Sequence, residues 1–135
     1  MTHEVTIAIR WRDLDAFGHV NNAVYLNYLE EARDRLVEDL FGGEAAWDFV
    51  LAHVGIDFRR ELTQADGEVV ALCSVAAVGR SSVRTREEIR KLDGSIAAQA
   101  ESVIVPRDRE SNRSRPLNDL ERAILEAEVA TTPST

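Results

Sequence analysis

Thirteen consecutive positions concentrate the polar chemistry of this chain: Asp13-Leu14-Asp15-Ala16-Phe17-Gly18-His19-Val20-Asn21-Asn22-Ala23-Val24-Tyr25. Two carboxylates, an imidazole, two carboxamides and a phenol lie there with a glycine among them, directly before the longest helical pattern in the sequence. Backbone N–H groups at a helix start lack intrahelical partners and carry the positive end of the helix dipole, so they suit an anion or a developing oxyanion. A carbonyl placed against them would be polarised. A carboxylate within reach would then act as nucleophile or as general base toward water. Asp15, a few residues before the helix, is the candidate carboxylate, and Gly18 lets the backbone turn closely behind it. His19 is placed to orient a substrate, donate to its carbonyl or shuttle a proton, the usual range of imidazole chemistry.

Structural roles compete for the same residues. Asp13, Asp15 and Asn21 are types that favour turns and helix caps, and Asp13, Asn21 and Asn22 read as the scaffold of the loop. Tyr25 reads either as a packed aromatic with its hydroxyl satisfied or as a substrate contact. Metal binding lacks a pattern, because His3 and His53 have no ligand-like spacing to Asp13, Asp15 and His19. The chain has no Gly-Lys-Ser/Thr phosphate loop, no Gly-x-Gly-x-x-Gly run after a strand and no Gly-x-Ser-x-Gly elbow. Nucleotide hydrolysis, dinucleotide redox chemistry and serine hydrolysis thereby lose their markers.

These residues need elements to hold them. Glu4 to Arg10 alternates, with Val5, Ile7 and Ile9 on one face, and predicts a half-buried strand leading into the motif. From Asn22 to Phe41, Leu26, Leu29, Ala32, Leu36, Val37 and Leu40 recur at helical spacing, and Gly42-Gly43 ends the helix. Glu30, Glu31, Arg33, Asp34, Arg35, Glu38 and Asp39 fall on the opposite face as a charged surface or a subunit contact. Strands follow: Phe49 to Leu62, then the Asp66-Gly67 turn, then Glu68 to Val78, whose continuous apolar run predicts cover on both faces. Ser82 to Lys91 sets Val83, Thr85, Glu87 and Ile89 against a cationic face that includes Arg84, Arg86 and Arg90. Asp93-Gly94 predicts a type I′ hairpin into Ile96 to Val105. Arg107 to Arg115 reads as a loop. A last helix spans Asp119 to Val129, with Asn118 and Glu121 as a capping pair. An antiparallel sheet with one long helix on a face, an α+β arrangement, satisfies this order.

At 135 residues with a net charge of −8, the chain suits one domain and lacks the concentrated positive surface that nucleic acid requires. No apolar run approaches the roughly 20 residues that span a bilayer, and the amino terminus lacks a secretory pattern, so the expectation is a cytoplasmic protein without membrane contact. Cys73, the single cysteine, lies in an apolar run and reads as a buried, inert thiol.

The motif at Asp13 to Leu26, together with Gly79-Arg80-Ser81-Ser82-Val83, the Asp93-Gly94 hairpin and Arg115-Pro116-Leu117, resembles hot-dog-fold acyl-CoA thioesterases of the 4-hydroxybenzoyl-CoA thioesterase type. The order and spacing extend over nearly the whole chain. The resemblance implies a hot-dog domain over residues 1–130, a curved antiparallel sheet wrapped around a long central helix, with a flexible tail at 131–135. It also implies homodimers or homotetramers with active sites at the subunit interface, acyl-CoA as substrate, and no cofactor beyond the coenzyme A that the substrate itself carries. By resemblance Asp15 takes the place of the catalytic carboxylate, Gly18 or its neighbours at the helix start offer N–H groups to the thioester oxygen, and His19 assists. Tyr25, Arg80, Ser81, Ser82 and Arg84 become substrate-binding candidates, the latter four along the pantetheine path, with Arg59 and Arg60 as weaker ones. His19-Val20-Asn21-Asn22 looks more like the plant-type acyl-carrier-protein thioesterases, whose Asp-x-Asn-x-His pattern here has Phe17 in place of its asparagine. Hydrolysis of a carrier-protein thioester and non-catalytic acyl-CoA binding are the alternatives.

Overall fold

The computed structural model describes residues 1–43 and 48–131. Strand β1 (His3–Ala8) leads through a 3-10 turn at Trp11–Asp13 to helix α1 (Asn22–Phe41). Then come β2 (Phe49–Phe58), a 3-10 turn at Gln64–Asp66, β3 (Glu68–Val78), β4 (Val83–Lys91), β5 (Ile96–Asp108), the short β6 (Arg113–Ser114) and α2 (Asp119–Thr131). Every pairing is antiparallel in the spatial order β1-β3-β4-β5-β2, with β6 beside the end of β5. Register shifts at Leu51/His53, Val75/Ala77 and Ile89/Arg90 bend strands, as bulges do. The curved sheet with α1 against one face is the hot-dog fold. No described helix is long and apolar enough to cross a membrane.

α1 has the predicted bounds, but its buried stripe is Tyr25, Tyr28, Leu29, Ala32, Arg33, Leu36 and Val37. Leu26, assigned to the apolar face, is 37% exposed. Arg33, assigned to the charged surface, is buried. The positions 25, 28, 29, 32, 33, 36 and 37 form an unbroken three- and four-residue series, so helical geometry places Arg33 inside whatever its charge. Its guanidinium reaches Glu87 on β4 at 3.0 Å, and Glu87 also accepts from Ser102 on β5. Around this pair, Ala71, Cys73 and Val75 of β3, Val83 of β4 and Leu36 of α1 are fully buried.

The other strands refine the expectations. On β3 one face is fully buried, while Val70, Leu72, Ser74 and Ala76 on the other are half-buried. The Asp93-Gly94 hairpin has a three-residue loop rather than a two-residue type I′ turn: Lys91 N–H donates to Ser95 O, and Gly94 alone in the loop takes a positive φ of 89°. Asp93 caps this loop by accepting from the Ser95 hydroxyl and amide, which hold its carboxyl below the usual range. Arg107 to Arg115 is not wholly irregular, since β5 runs to Asp108 and pairs with β6. Asn118 and Glu121 cap α2 reciprocally at 2.8 and 2.9 Å, as predicted. α2 continues two residues past Val129 to Thr131, and the rest of the tail expected to be flexible lies outside the described residues.

One connection decides where the site lies. β2 is an edge strand beside β5, whereas β3 sits between β1 and β4, so β2 and β3 do not pair. The chain from Arg59 to Gly67 therefore crosses the end of the sheet, where the β1–α1 loop also runs.

Candidate active site

The site forms where those two connections meet. Val20 N–H donates to Leu62 O at 2.7 Å, His19 bridges to Thr63, and the Tyr25 hydroxyl donates to Arg60 O at 3.0 Å. Together these contacts hold the crossing segment against the start of α1.

Asp13 is the foundation. It is 2% exposed, and its carboxylate accepts from the Tyr28 hydroxyl at 2.7 Å, from the Arg10 amide at 3.0 Å and from the Arg10 side chain at 3.1 and 3.2 Å. Burial alone would raise its pKa, but these hydrogen bonds to the charged form outweigh it and hold the carboxyl below its ordinary 3.8. Burial and the Asp13 carboxylate in turn push the Tyr28 phenol up. Asp13 O also accepts from Asn21 N–H, and the Asn21 side chain caps α1 by accepting from Ala23 N–H at 2.9 Å. Of the three residues read as scaffold, Asp13 and Asn21 therefore hold the helix start, while Asn22 lines the cleft.

Asp15 is used differently. Its Oδ1 accepts from Phe17 N–H at 2.8 Å and His19 N–H at 3.2 Å, while Oδ2 has no hydrogen-bond partner among the described residues. Gly18, at φ 80°, makes the tight return of the loop, and its N–H closes the turn by donating to Asp15 O at 3.2 Å. At the helix start, Ala23 and Val24 donate to Asn21, which leaves the Asn22 amide without a partner among the described residues. Asp15, His19, Asn22 and Tyr25 line one cleft of about 260 Å³, closed on the other side by Phe58, Arg59, Arg60 and Glu61. His19 Nε2 lies 2.9 Å from Glu61 Oε2, both partly exposed. The Tyr25 ring packs edge-on against Phe58 at 5.1 Å, and burial raises its phenol pKa.

The cleft thus gathers Asp15, His19 and Tyr25, while Gly18 makes the turn between Asp15 and His19 and does not line it. The cleft does not gather Arg80, Ser81, Ser82 or Arg84 within one chain. Gly79 to Ser82 form the β3–β4 turn at the far end of the sheet, where Arg80 O accepts from Leu117 N–H and Gly79 O from Arg122. Roughly 30 Å of strand separates it from the cleft. Arg84 points outward, 3.9 Å from Glu101. Phe58 and Glu61 are cleft residues that motif reading missed, because nothing local in the sequence says that the segment crosses the helix start. A larger groove of about 530 Å³ lies on the outer face of the sheet, lined by residues such as His53, Asp57, Arg86 and Glu101. It offers no helix-start amide, so the smaller cleft is the better place for carbonyl chemistry. Among the described residues no cluster of three or more histidine, cysteine, aspartate or glutamate side chains is arranged to hold a metal ion.

A long helix enfolded by a curved antiparallel sheet defines a hot-dog protein, and sequence comparison gives its family. The profile of the thioesterase-like superfamily matches residues 9–127, so the chain belongs to that family and is a thioester hydrolase. It is similar to the long-chain acyl-CoA thioesterase FadM of Escherichia coli K12, at 29% identity over 93% of this chain and 98% of that one. A thioesterase of Thermus thermophilus, crystallised with coenzyme A and zinc, superposes with a TM-score of 0.85 at 30% identity, covering 97% of this chain and 96% of that one. A chloroplastic acyl-acyl carrier protein thioesterase of Arabidopsis thaliana shares 47% identity over 38 residues, 28% of this chain and 20% of that protein.

Proposed function

We propose that the chain hydrolyses acyl-CoA thioesters to the free acid and coenzyme A, with Asp15 as the catalytic carboxylate. The observation that carries this reading is the pairing, in one cleft, of Asp15 Oδ2 with the Asn22 amide at the start of α1, neither of which has a partner among the described residues. A thioester carbonyl oxygen seated on the helix start is polarised by that amide and the helix dipole. Oδ2 either attacks the carbonyl carbon, giving a mixed anhydride that water cleaves, or takes a proton from the attacking water. In both routes the C–S bond breaks and the sulfur leaves as coenzyme A, which takes up a proton. His19, held by Glu61, stands in the cleft as the group to deliver or orient that proton. Gly18 contributes the turn, since its own amide is already engaged.

The resemblance to FadM and to the coenzyme-bound Thermus structure supports a coenzyme A substrate. The local identity with the plant enzyme keeps an acyl-carrier-protein thioester as the second reading. No cofactor enters the reaction beyond the coenzyme carried by the substrate. The reading includes a homodimer or homotetramer. β2 supports it as an edge strand whose Leu51 and Phe58 are 45% and 46% exposed, the kind of edge that takes up a further strand. Release of free thiol from a panel of acyl-CoA and acyl-carrier-protein thioesters, with Asp15→Ala and Asp15→Asn in parallel, is the test. Turnover abolished by both substitutions is expected. No turnover by the native chain on any thioester would sink the proposed activity, and turnover that survives loss of Asp15 would move the catalytic role elsewhere.

A further inference from the structure

We propose that Arg59 and Arg60 bind phosphate groups of the coenzyme at the mouth of the Asp15 cleft, an inference that rests on the acyl-CoA reading above. β2 stays in register with β5 as far as Phe58 opposite Ala98. Immediately beyond, the N–H groups of Arg59 and Arg60 both donate to the single carbonyl of Ala97, at 2.8 and 3.0 Å. Two residues facing one is the geometry of a β-bulge, and a bulge breaks the alternation that would otherwise send consecutive side chains to opposite faces. Both arginines accordingly line the cleft that holds Asp15. The Tyr25 hydroxyl pins Arg60 O, so the backbone is fixed while both side chains remain exposed.

Their charge is also available. Arg59 Nε donates to the neutral side chain of Gln99 at 3.2 Å, and Arg60 forms no ion pair among the described residues, its charge lowering the pKa of the exposed Asp93. Elsewhere, Arg33 is committed to Glu87, Arg90 to Glu88 and Arg115 to Glu121. Other arginines are also without an ion pair among the described residues, but Arg59 and Arg60 are the two that line the cleft of Asp15. Guanidinium presents paired N–H donors that match phosphate oxygens, so the pair suits the anionic end of a coenzyme whose thioester reaches Asp15. Within a single chain, the Arg80 turn cannot supply this contact from the other end of the sheet.

The test compares an acyl-CoA with the same acyl group on pantetheine, which lacks the nucleotide phosphates, using the full chain and its Arg59→Gln, Arg60→Gln and double variants. Each single substitution is expected to raise KM for acyl-CoA about tenfold with kcat held within about twofold, and to leave KM for acyl-pantetheine within about twofold. A parallel loss on both thioesters, or no change on either, overturns the proposal. Calorimetric titration with free coenzyme A separates it from the parent reading. Weaker binding in the double variant than in the native chain supports phosphate recognition even if turnover fails, and equal binding overturns it.

Discussion

Two carboxylates lie against different stretches of the long helix and do opposite work. Glu87 lies under the middle of α1 with no exposed side-chain surface, accepting from Arg33 and Ser102, with Cys73 alongside. Asp15 lies before the first turn, half-buried, with one oxygen engaged by loop amides and the other open to the cleft. A buried charge without partners is costly, so Glu87 persists only because every side of it is answered. Asp15 tolerates an open oxygen because it is only half-buried and the amides behind it already fix its orientation. On the proposed reading, a carboxylate here is structural or chemical according to how completely its lone pairs are consumed.

That contrast can be broken or sharpened by substitution. Asp15→Asn retains the Oδ1 acceptor and therefore the loop, yet removes the reactive oxygen. We expect a loss of about 10³- to 10⁴-fold in kcat/KM, with an unfolding free energy close to that of the native chain by denaturant titration. A large stability loss would put Asp15 in the same structural class as Glu87. Arg33→Met should do the reverse, costing about 3–5 kcal/mol of stability by leaving Glu87 buried and unpaired. The double variant Arg33→Met with Glu87→Leu should recover most of that cost, since an apolar pair needs no answering charge. Asp13, two residues from Asp15 but as enclosed as Glu87, is the intermediate case. Asp13→Asn should cost about 1–3 kcal/mol at neutral pH through the lost bonds to Arg10 and Tyr28. Because the folded carboxyl sits below its ordinary 3.8, the stabilisation is present above that value and is lost as pH falls through the lower folded value. The gap between native and variant should therefore close below about pH 4 in chemical denaturation, and a gap independent of pH would refute the charged role.

Much of this was legible because local rules and tertiary structure agree. The bounds of α1, the buried face of β4 at Val83, Thr85, Glu87 and Ile89, and the Asn118–Glu121 cap follow from periodicity and capping chemistry alone. Asp15, His19 and Tyr25 were found because they fall within one short motif on one side of the cleft. The opposite wall was only partly legible: Arg59 and Arg60 were named as substrate-binding candidates, whereas Phe58 and Glu61 were not. Phe58 to Glu61 reach the site through the crossover from an edge strand to the middle of the sheet, a matter of strand order that no window of sequence encodes. Arg33 was misplaced because its charge outweighed its position in the stripe, and only Glu87, 54 residues later, reconciles the two.

The buried thiol has a practical consequence. Burial, followed by the adjacent Glu87 carboxylate, pushes Cys73 well above its ordinary pKa of 9.0, and none of the residue is exposed. Thiol-exchange dyes should therefore register coenzyme released from substrate and nothing from the native protein. The same silence turns the single cysteine into a clock: its labelling requires the helix and sheet to part, so the rate of dye uptake without substrate measures how often the core opens.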